Sequence, residues 1–177
     1  EGFRKAMIQH GLDSGKQQIE LFKSGPVEAL KKVLHITPFE GYETEQLDAE
    51  IKGIIAQDRL CDKLEEIGHA QPIRVVLDRT PFYAEAGGQV GVMGDLLGTD
   101  FAFRVSDTRR DGDLIVHIGH VVSGEMRASA TVKARVDATR RLAIRRAHSA
   151  THLLHHALQK TLGKHAQQQG SKVDDDW

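Results

Sequence analysis

The junction at Asp137 is the sequence feature that most constrains the fold. Before it, residues 128–136 ("ASATVKARV") place small or apolar side chains at every second position, which is the period of a half-buried strand. After it, residues 138–162 read as one long helix, with Asp137 as the N-cap and Gly163 as the C-terminal cap. A strand that runs directly into a long helix predicts an α+β protein.

The stretch before this junction carries mostly β signals. Residues 73–77, 101–105 and 114–122 read as short strands, with the turn sequence "RRDGD" between the last two. Residues 48–67 are ambiguous between a strand pair and a helix. Several short strands joined by close turns predict a small barrel or a curled sheet.

These patterns divide the 177 residues into three parts. Residues 1–36 are predicted to be a segment of N-terminal helices, and Pro26 suits a first helical turn because its missing N–H costs nothing there. Residues 37–137 form the β-rich, barrel-like part, and residues 138–177 open with the long helix. Because the chain starts at Glu1 rather than Met and stops at "KVDDDW", we expect it to be a piece of a longer protein.

Composition narrows the possible settings. The single cysteine, Cys61, rules out a disulfide within the chain and favours a reducing cytosol, so we expect a cytoplasmic protein. No apolar run approaches the roughly 18 residues of a membrane span, and we expect no membrane partner. The formal charge of −1 argues against a generic polyanion binder.

Basic residues are nevertheless concentrated between positions 127 and 146, where Asp137 is the only acid. Such a patch could meet a phosphate backbone, or it could be a solvated strand face and helix start; composition leaves both readings open. The residues concerned are Arg127, Lys133, Arg135, Arg140, Arg141, Arg145 and Arg146.

The helix sequence "RRAHSATHLLHHAL" carries four histidines. His148 and His152 lie four residues apart on one face, so both imidazoles could reach one zinc ion at ~2.0–2.1 Å. Zinc needs further ligands, and although His155 and His156 are candidates by spacing, three ligands from one straight helix cannot surround an ion. The alternative is a polar seam on a half-buried helix, with each histidine hydrogen-bonded to a neighbour.

A second unusual stretch, "LDRTPFYAEAGGQVGVMGDLLG", has five glycines in residues 77–98. Their bare backbone allows close approach to a ligand or a sharp bend. The spacing does not end in Gly-Lys-Ser/Thr, which argues against a nucleoside triphosphate loop. A bulged hairpin in a barrel is the alternative.

Together, "RTPFYAEAGGQVG" and the later "HSATHLLHHALQKTLGKHAQQQGS" resemble the editing region of the alanyl-tRNA synthetase family. The module also occurs in freestanding trans-editing relatives and in the second additional domain of threonyl-tRNA synthetases. "EGFRKAM" and "FEGYET" resemble the stretch that precedes the editing domain in alanyl-tRNA synthetases. The resemblance implies a small β-barrel-like part followed by an editing-type α+β domain.

The activity that the resemblance implies is hydrolysis of the ester in mischarged Ser-tRNA(Ala) and Gly-tRNA(Ala). The implied partners are the acceptor end of tRNA(Ala) and the rest of a parent synthetase, which would ligate alanine using ATP. The zinc of this family is held by an H-x-x-x-H, which matches His148 and His152, and by a later C-x-x-x-H, which this sequence lacks. We therefore expect only half of the zinc site here, and weak or no hydrolysis by the 177 residues alone.

The resemblance also implies roles for individual residues. Thr80 matches a threonine that faces the amino-acid pocket, and its hydroxyl could bond a seryl side chain. Gln89 and Gln168 match positions near the zinc, where an amide could hold the water or the ester oxygen. The tRNA-binding candidates are Arg135, Arg140, Arg141, Arg145 and Arg146. Ala86 and Val92 depart from the family, which commonly has serine and aspartate there.

Other classes of function remain as alternatives. A non-catalytic RNA-binding module of the same fold predicts salt-dependent tRNA binding without deacylation. A freestanding trans-editing deacylase would act without a synthetase. A histidine-rich interaction domain predicts a protein partner and no tRNA binding.

Overall fold

The structure is a computed structural model that describes residues 25–65, 72–85, 90–163, 165, 167 and 172–174. Eight strands lie in these ranges: β1 (Gln46–Ala56), β2 (Arg59–Cys61), β3 (Lys63–Glu65), β4 (Ile73–Leu77), β5 (Gly94–Leu97), β6 (Phe101–Asp111), β7 (Leu114–Arg127) and β8 (Thr131–Val136). A short helix α1 (Pro26–Lys31) precedes them, and a long helix α2 (Ala138–Leu162) follows. The N-terminal helices expected in residues 1–24 lie outside the described residues.

Six of these strands close into an antiparallel barrel, as the barrel-like prediction requires. The order is β1-β4-β7-β6-β5-β8, and pairing of β8 with β1 completes the ring. β2 extends β1 as a hairpin, and β3 pairs with the far end of β7. The stretch that was ambiguous between a strand pair and a helix is therefore β1 followed by the short strands β2 and β3.

The barrel is filled by side chains from all six strands, among them the fully buried Phe103, Ile54 and Leu96. A second apolar cluster lies outside the barrel, where Val27 and Leu30 of α1 pack on the outer face of the strands. Gly53 permits this contact, because a Cβ there would lie 2.4 Å from the Leu30 side chain. β1 is thus buried on both faces over part of its length.

Helix α2 begins where the sequence predicts. Asp137 is its N-cap, and the Asp137 carboxylate accepts a hydrogen bond from the Arg140 backbone N–H at 3.0 Å. Among the described residues of α2, Ile144 is the one buried apolar side chain, so only the first turns pack on the barrel. Leu153, Leu154, Leu158 and Leu162 are exposed. No described helix is long and apolar enough to cross a membrane. The division into parts at residues 36 and 137 stays a prediction.

Candidate functional site: a cleft between the barrel and the histidine helix

A cleft of about 300 Å³ lies where α2 crosses the barrel. Three segments form its walls: the turn at residues 39–42, the segment that carries Tyr83 and Val92, and the first turns of α2. Its lining is Phe39, Tyr42, Tyr83, Val92, Arg141, Ile144, Arg145 and His148. The cleft therefore combines aromatic rings, arginines and one of the two predicted zinc ligands.

His148 lines this cleft and faces His152, which lies one turn further along α2. Their Nε2 atoms are 3.0 Å apart, and their ring centroids are 4.9 Å apart. Two nitrogens bound tetrahedrally to one zinc at ~2.0–2.1 Å would lie about 3.3 Å apart, so the observed pair fits a shared ion with a small adjustment. Among the described residues, no group of three or more His, Cys, Asp or Glu side chains could hold a metal. The pair can supply two ligands of a zinc site.

Thr80 lies behind the cleft wall and is fully buried. Its hydroxyl oxygen accepts a hydrogen bond from the Phe82 N–H at 3.1 Å and lies 2.7 Å from His117 Nε2. The backbone of Thr80 bonds on both sides to the 38–40 segment, with Thr80 N–H to the Pro38 carbonyl at 3.0 Å and Glu40 N–H to the Thr80 carbonyl at 2.9 Å. In this arrangement Thr80 shapes the cleft wall, and its contact with a seryl side chain stays a prediction.

His117 is a buried partner of Thr80 that no motif in the sequence indicates. Its Nδ1 lies 3.0 Å from the Val75 carbonyl oxygen, which can only accept, so Nδ1 carries the proton and Nε2 accepts from the Thr80 hydroxyl. The ring is fully buried and packs edge-on against Phe82. Burial lowers the pKa of His117 to about 4, since a charged imidazole would lose its hydration.

This pKa predicts a specific pH dependence of folding. His117 in the unfolded chain takes up a proton near pH 6.5 and in the folded chain only near pH 4, so stability is full above pH 6.5 and falls as pH drops between these values. From pH 6.5 to 5 the loss is about 1.5 kcal/mol. Urea unfolding at several pH values measures it. The His117→Gln variant should be less stable at neutral pH, but its free energy of unfolding should not show this fall between pH 6.5 and 5. If the free energy of unfolding fell equally with pH in both proteins, His117 would not be its cause.

The five candidate tRNA-binding arginines occupy three kinds of environment. Arg135 pairs with Asp95 at 3.2 Å, and Arg140 pairs with Asp174 at 2.6 Å. Arg141 donates to the backbone carbonyls of Gly41 and Pro81, and burial lowers the pKa of its guanidinium. Arg145 and Arg146 are exposed and make no ion pair within the described part of the chain. These last two are the arginines best placed to meet a phosphate.

The remaining candidates, Gln89 and Gln168, lie outside the described residues. Among the described residues, the Val90 N–H donates a hydrogen bond to the Val173 carbonyl at 3.1 Å. Val92, where the family commonly has an aspartate, is buried in the barrel core. Gly91 is required for close packing, since a Cβ there would lie 2.3 Å from the Thr108 carbonyl oxygen.

Sequence reasoning missed the aromatic wall of the cleft. Phe39, Tyr42 and Tyr83 come from segments some 40 residues apart, and neither spacing nor composition brings them together. The stretch "FEGYET" contains Phe39 and Tyr42, but its sequence indicated only a resemblance to a family and not a place in a cleft.

Known proteins match this chain in sequence. The family described as "tRNA synthetases class II (A)" matches residues 1–140. The chain is similar to an alanine–tRNA ligase of Rhodopirellula baltica, with 46% identity over 99% of the chain and 19% of the relative. It is also similar to the alanine–tRNA ligase of Legionella pneumophila, with 45% identity over 82% of the chain and 17% of the relative. The chain thus spans about a fifth of the length of the curated relatives that it matches.

Proposed function

We propose that this chain, which belongs to the class II (A) tRNA synthetase family and is homologous to alanine–tRNA ligases, is part of an editing centre. This centre would hydrolyse Ser-tRNA(Ala) and Gly-tRNA(Ala). The observation that most supports this proposal is that the exposed Arg145 lines one cleft with His148, whose Nε2 lies 3.0 Å from His152 Nε2. In the full-length protein, other segments would ligate alanine to tRNA(Ala) with ATP. The proposed setting is the cytoplasm.

The reaction needs an ester held beside a positioned water. Arg145 attracts the negatively charged RNA end to the cleft, and Arg146 adds to the local positive potential. Gln89 and Gln168 are the proposed amides that hold the water or the ester oxygen. The aminoacyl ester would then reach the cleft beside His148.

Zinc is the proposed cofactor, and His148 and His152 would hold it through Nε2. With four protein ligands the bound ion would have no open position, so it would orient the substrate or stabilise the site rather than act on the ester directly. We propose that the remaining ligands are the C-x-x-x-H of the family, supplied by a part of the full-length protein outside this sequence. The two imidazoles already share a face of α2, so the helix holds half of the ligand set in place before the ion arrives.

Thr80 has a proposed role in selectivity for serine. A bond from its hydroxyl to a seryl side chain would require the hydroxyl to leave His117 Nε2, which is 2.7 Å away. Thr80 is therefore assigned to the wall of the amino-acid pocket, where its oxygen could instead accept a hydrogen bond from the seryl hydroxyl while still donating to His117.

Accumulation of a mischarged product tests this function. The full-length protein is supplied with ATP, serine and tRNA(Ala), and Ser-tRNA(Ala) is followed over time. We expect background levels with the unaltered protein and accumulation with the double variant His148→Ala/His152→Ala. If the double variant shows no more Ser-tRNA(Ala) than the unaltered protein, while serine is still activated, editing at this cleft is excluded. A binding module alone would hold the tRNA with steep salt dependence and leave the ester intact.

A further inference from the structure

Tyr42 is the most exposed of the aromatic residues that line the cleft, with 84% of its surface accessible. Its ring packs edge-on against Phe39, with centroids 5.0 Å apart and planes at 79°. Phe39 makes a second edge-on contact with Tyr83 at 5.7 Å. Because Phe39 supports the Tyr42 ring at one edge only, most of that ring is open to a ligand.

The turn that carries Tyr42 is held from two sides. The Gly41 carbonyl accepts a hydrogen bond from Arg141, which ties the turn to α2. Gly41 also packs closely on the barrel, because a Cβ there would lie 2.3 Å from the Pro81 carbonyl oxygen and 2.5 Å from the Phe39 ring. An exposed ring on a clamped turn loses little conformational freedom when a ligand packs on it.

The positive charge in the cleft points to the kind of ligand. Arg141 donates hydrogen bonds to backbone carbonyls, whereas Arg145 lines the same cleft and makes no ion pair among the described residues. A flat aromatic surface beside an uncommitted guanidinium is the chemistry that binds single-stranded nucleic acid, through base stacking and a phosphate contact. The cleft volume of about 300 Å³ suits a group of about one nucleotide.

We propose that Tyr42, supported by Phe39, stacks with the 3′-terminal base of the RNA strand, while Arg145 contacts the adjoining phosphate. This subsite rests on the proposed editing function, because it would place the terminal ribose, which carries the aminoacyl ester, beside His148. It gives the aromatic wall a role in holding the RNA end, separate from hydrolysis of the ester.

A binding experiment on the 177-residue chain tests the subsite. The probes are a 5′-fluorescein-labelled single-stranded RNA that ends in the CCA common to tRNAs and the same RNA with an abasic 3′-terminal ribose. Fluorescence anisotropy at low salt measures both affinities. We expect the unaltered chain to bind the abasic RNA about 10-fold more weakly than the intact RNA.

The Tyr42 variants separate stacking from general apolar contact. Tyr42→Leu should bind the intact RNA about 10-fold more weakly and the abasic RNA unchanged, whereas Tyr42→Phe should retain both affinities. Val33→Ser changes another apolar residue that is 83% exposed but does not line the cleft, and it should behave as the unaltered chain. Circular dichroism confirms that each variant is folded.

The arginine variants separate the phosphate contact from net charge. Arg145→Gln should weaken binding of both RNAs, because both keep the phosphate. Arg59→Gln removes the same charge from an exposed position on β2 and should leave binding within a factor of about two of the unaltered chain. An equal loss in both arginine variants would overturn the phosphate contact.

The subsite is overturned if the abasic RNA binds as tightly as the intact RNA, or if Tyr42→Leu weakens both to the same degree. It is also overturned if the chain binds neither RNA. None of these results bears on ester hydrolysis, which is measured separately on mischarged tRNA with Tyr42 intact. Failure of the editing proposal would appear there, as a stable Ser-tRNA(Ala), whatever the base contributes to binding.

Discussion

Replacing His152 by alanine in the full-length protein is expected to lower deacylation of both Ser-tRNA(Ala) and Gly-tRNA(Ala) by about 100-fold or more. The physical reason is that His152 Nε2 faces His148 Nε2 at 3.0 Å, so the change removes one of the two proposed zinc ligands. Because both esters are proposed to react at the same centre, both rates should fall together. Zinc content, measured by atomic absorption, should fall with them.

The matched control is His156→Ala on the same helix. His156 is exposed and is not part of the facing pair, so zinc content and deacylation should stay within about twofold of the unaltered protein. Alanine ligation should survive both changes, since that chemistry is proposed to lie outside this sequence. Loss of deacylation without loss of zinc would assign His152 to the reaction directly rather than to the metal.

Gly119→Ala is expected to destabilise the barrel by about 3–5 kcal/mol, a large fraction of the stability of an ordinary domain. Gly119 lies in β7 between Ile73 of β4 and Val105 of β6. A Cβ there would lie 1.8 Å from the Arg104 carbonyl oxygen, so the β6 backbone would have to move. Urea unfolding followed by far-UV circular dichroism measures the change.

Gly25→Ala is the matched control for this substitution. Nothing lies within 4 Å of the Cβ that it would add, and its φ of −102° is open to any residue. The N-cap position limits its cost to about 1 kcal/mol or less. Similar losses in both variants would show that backbone freedom, and not the close approach of β6, makes Gly119 necessary.

Local patterns predicted single elements well. The apolar run at residues 73–77 is β4, and Asp137 caps α2, because both signals depend on neighbours in the sequence. β8 is shorter than its alternating pattern, since Ser129 has a φ of 65° and starts a turn before Thr131. A backbone conformation that serine rarely adopts leaves no mark on hydrophobic periodicity.

The ambiguous stretch was ambiguous for a physical reason. Ile54 points into the barrel, whereas Ile55 packs under α1, so two adjacent apolar residues are both buried. A period of two fails where both faces of a strand are covered. The sequence predicted a barrel or a curled sheet but not the strand pairing that closes the barrel, because that pairing joins Gln46 to Arg135, which are far apart in the sequence.

In the candidate site, contacts between residues close in the sequence could be predicted, whereas contacts between distant residues could not. The facing of His148 and His152 follows from their spacing on one helix. The five arginines looked equivalent, and only the fold separates Arg140, paired with Asp174, from Arg145 in the cleft. The burial of Thr80 against His117 depends on β7 passing beside β4, which no motif encodes.

The most direct test of the account is the rate at which the purified full-length protein releases serine from preformed Ser-tRNA(Ala), with Ala-tRNA(Ala) as the matched substrate. We expect rapid release of serine, slow release of alanine, and loss of the serine reaction in the His148→Ala/His152→Ala variant. Stable Ser-tRNA(Ala) in the presence of protein that binds it would contradict the account, and so would equal release by the double variant.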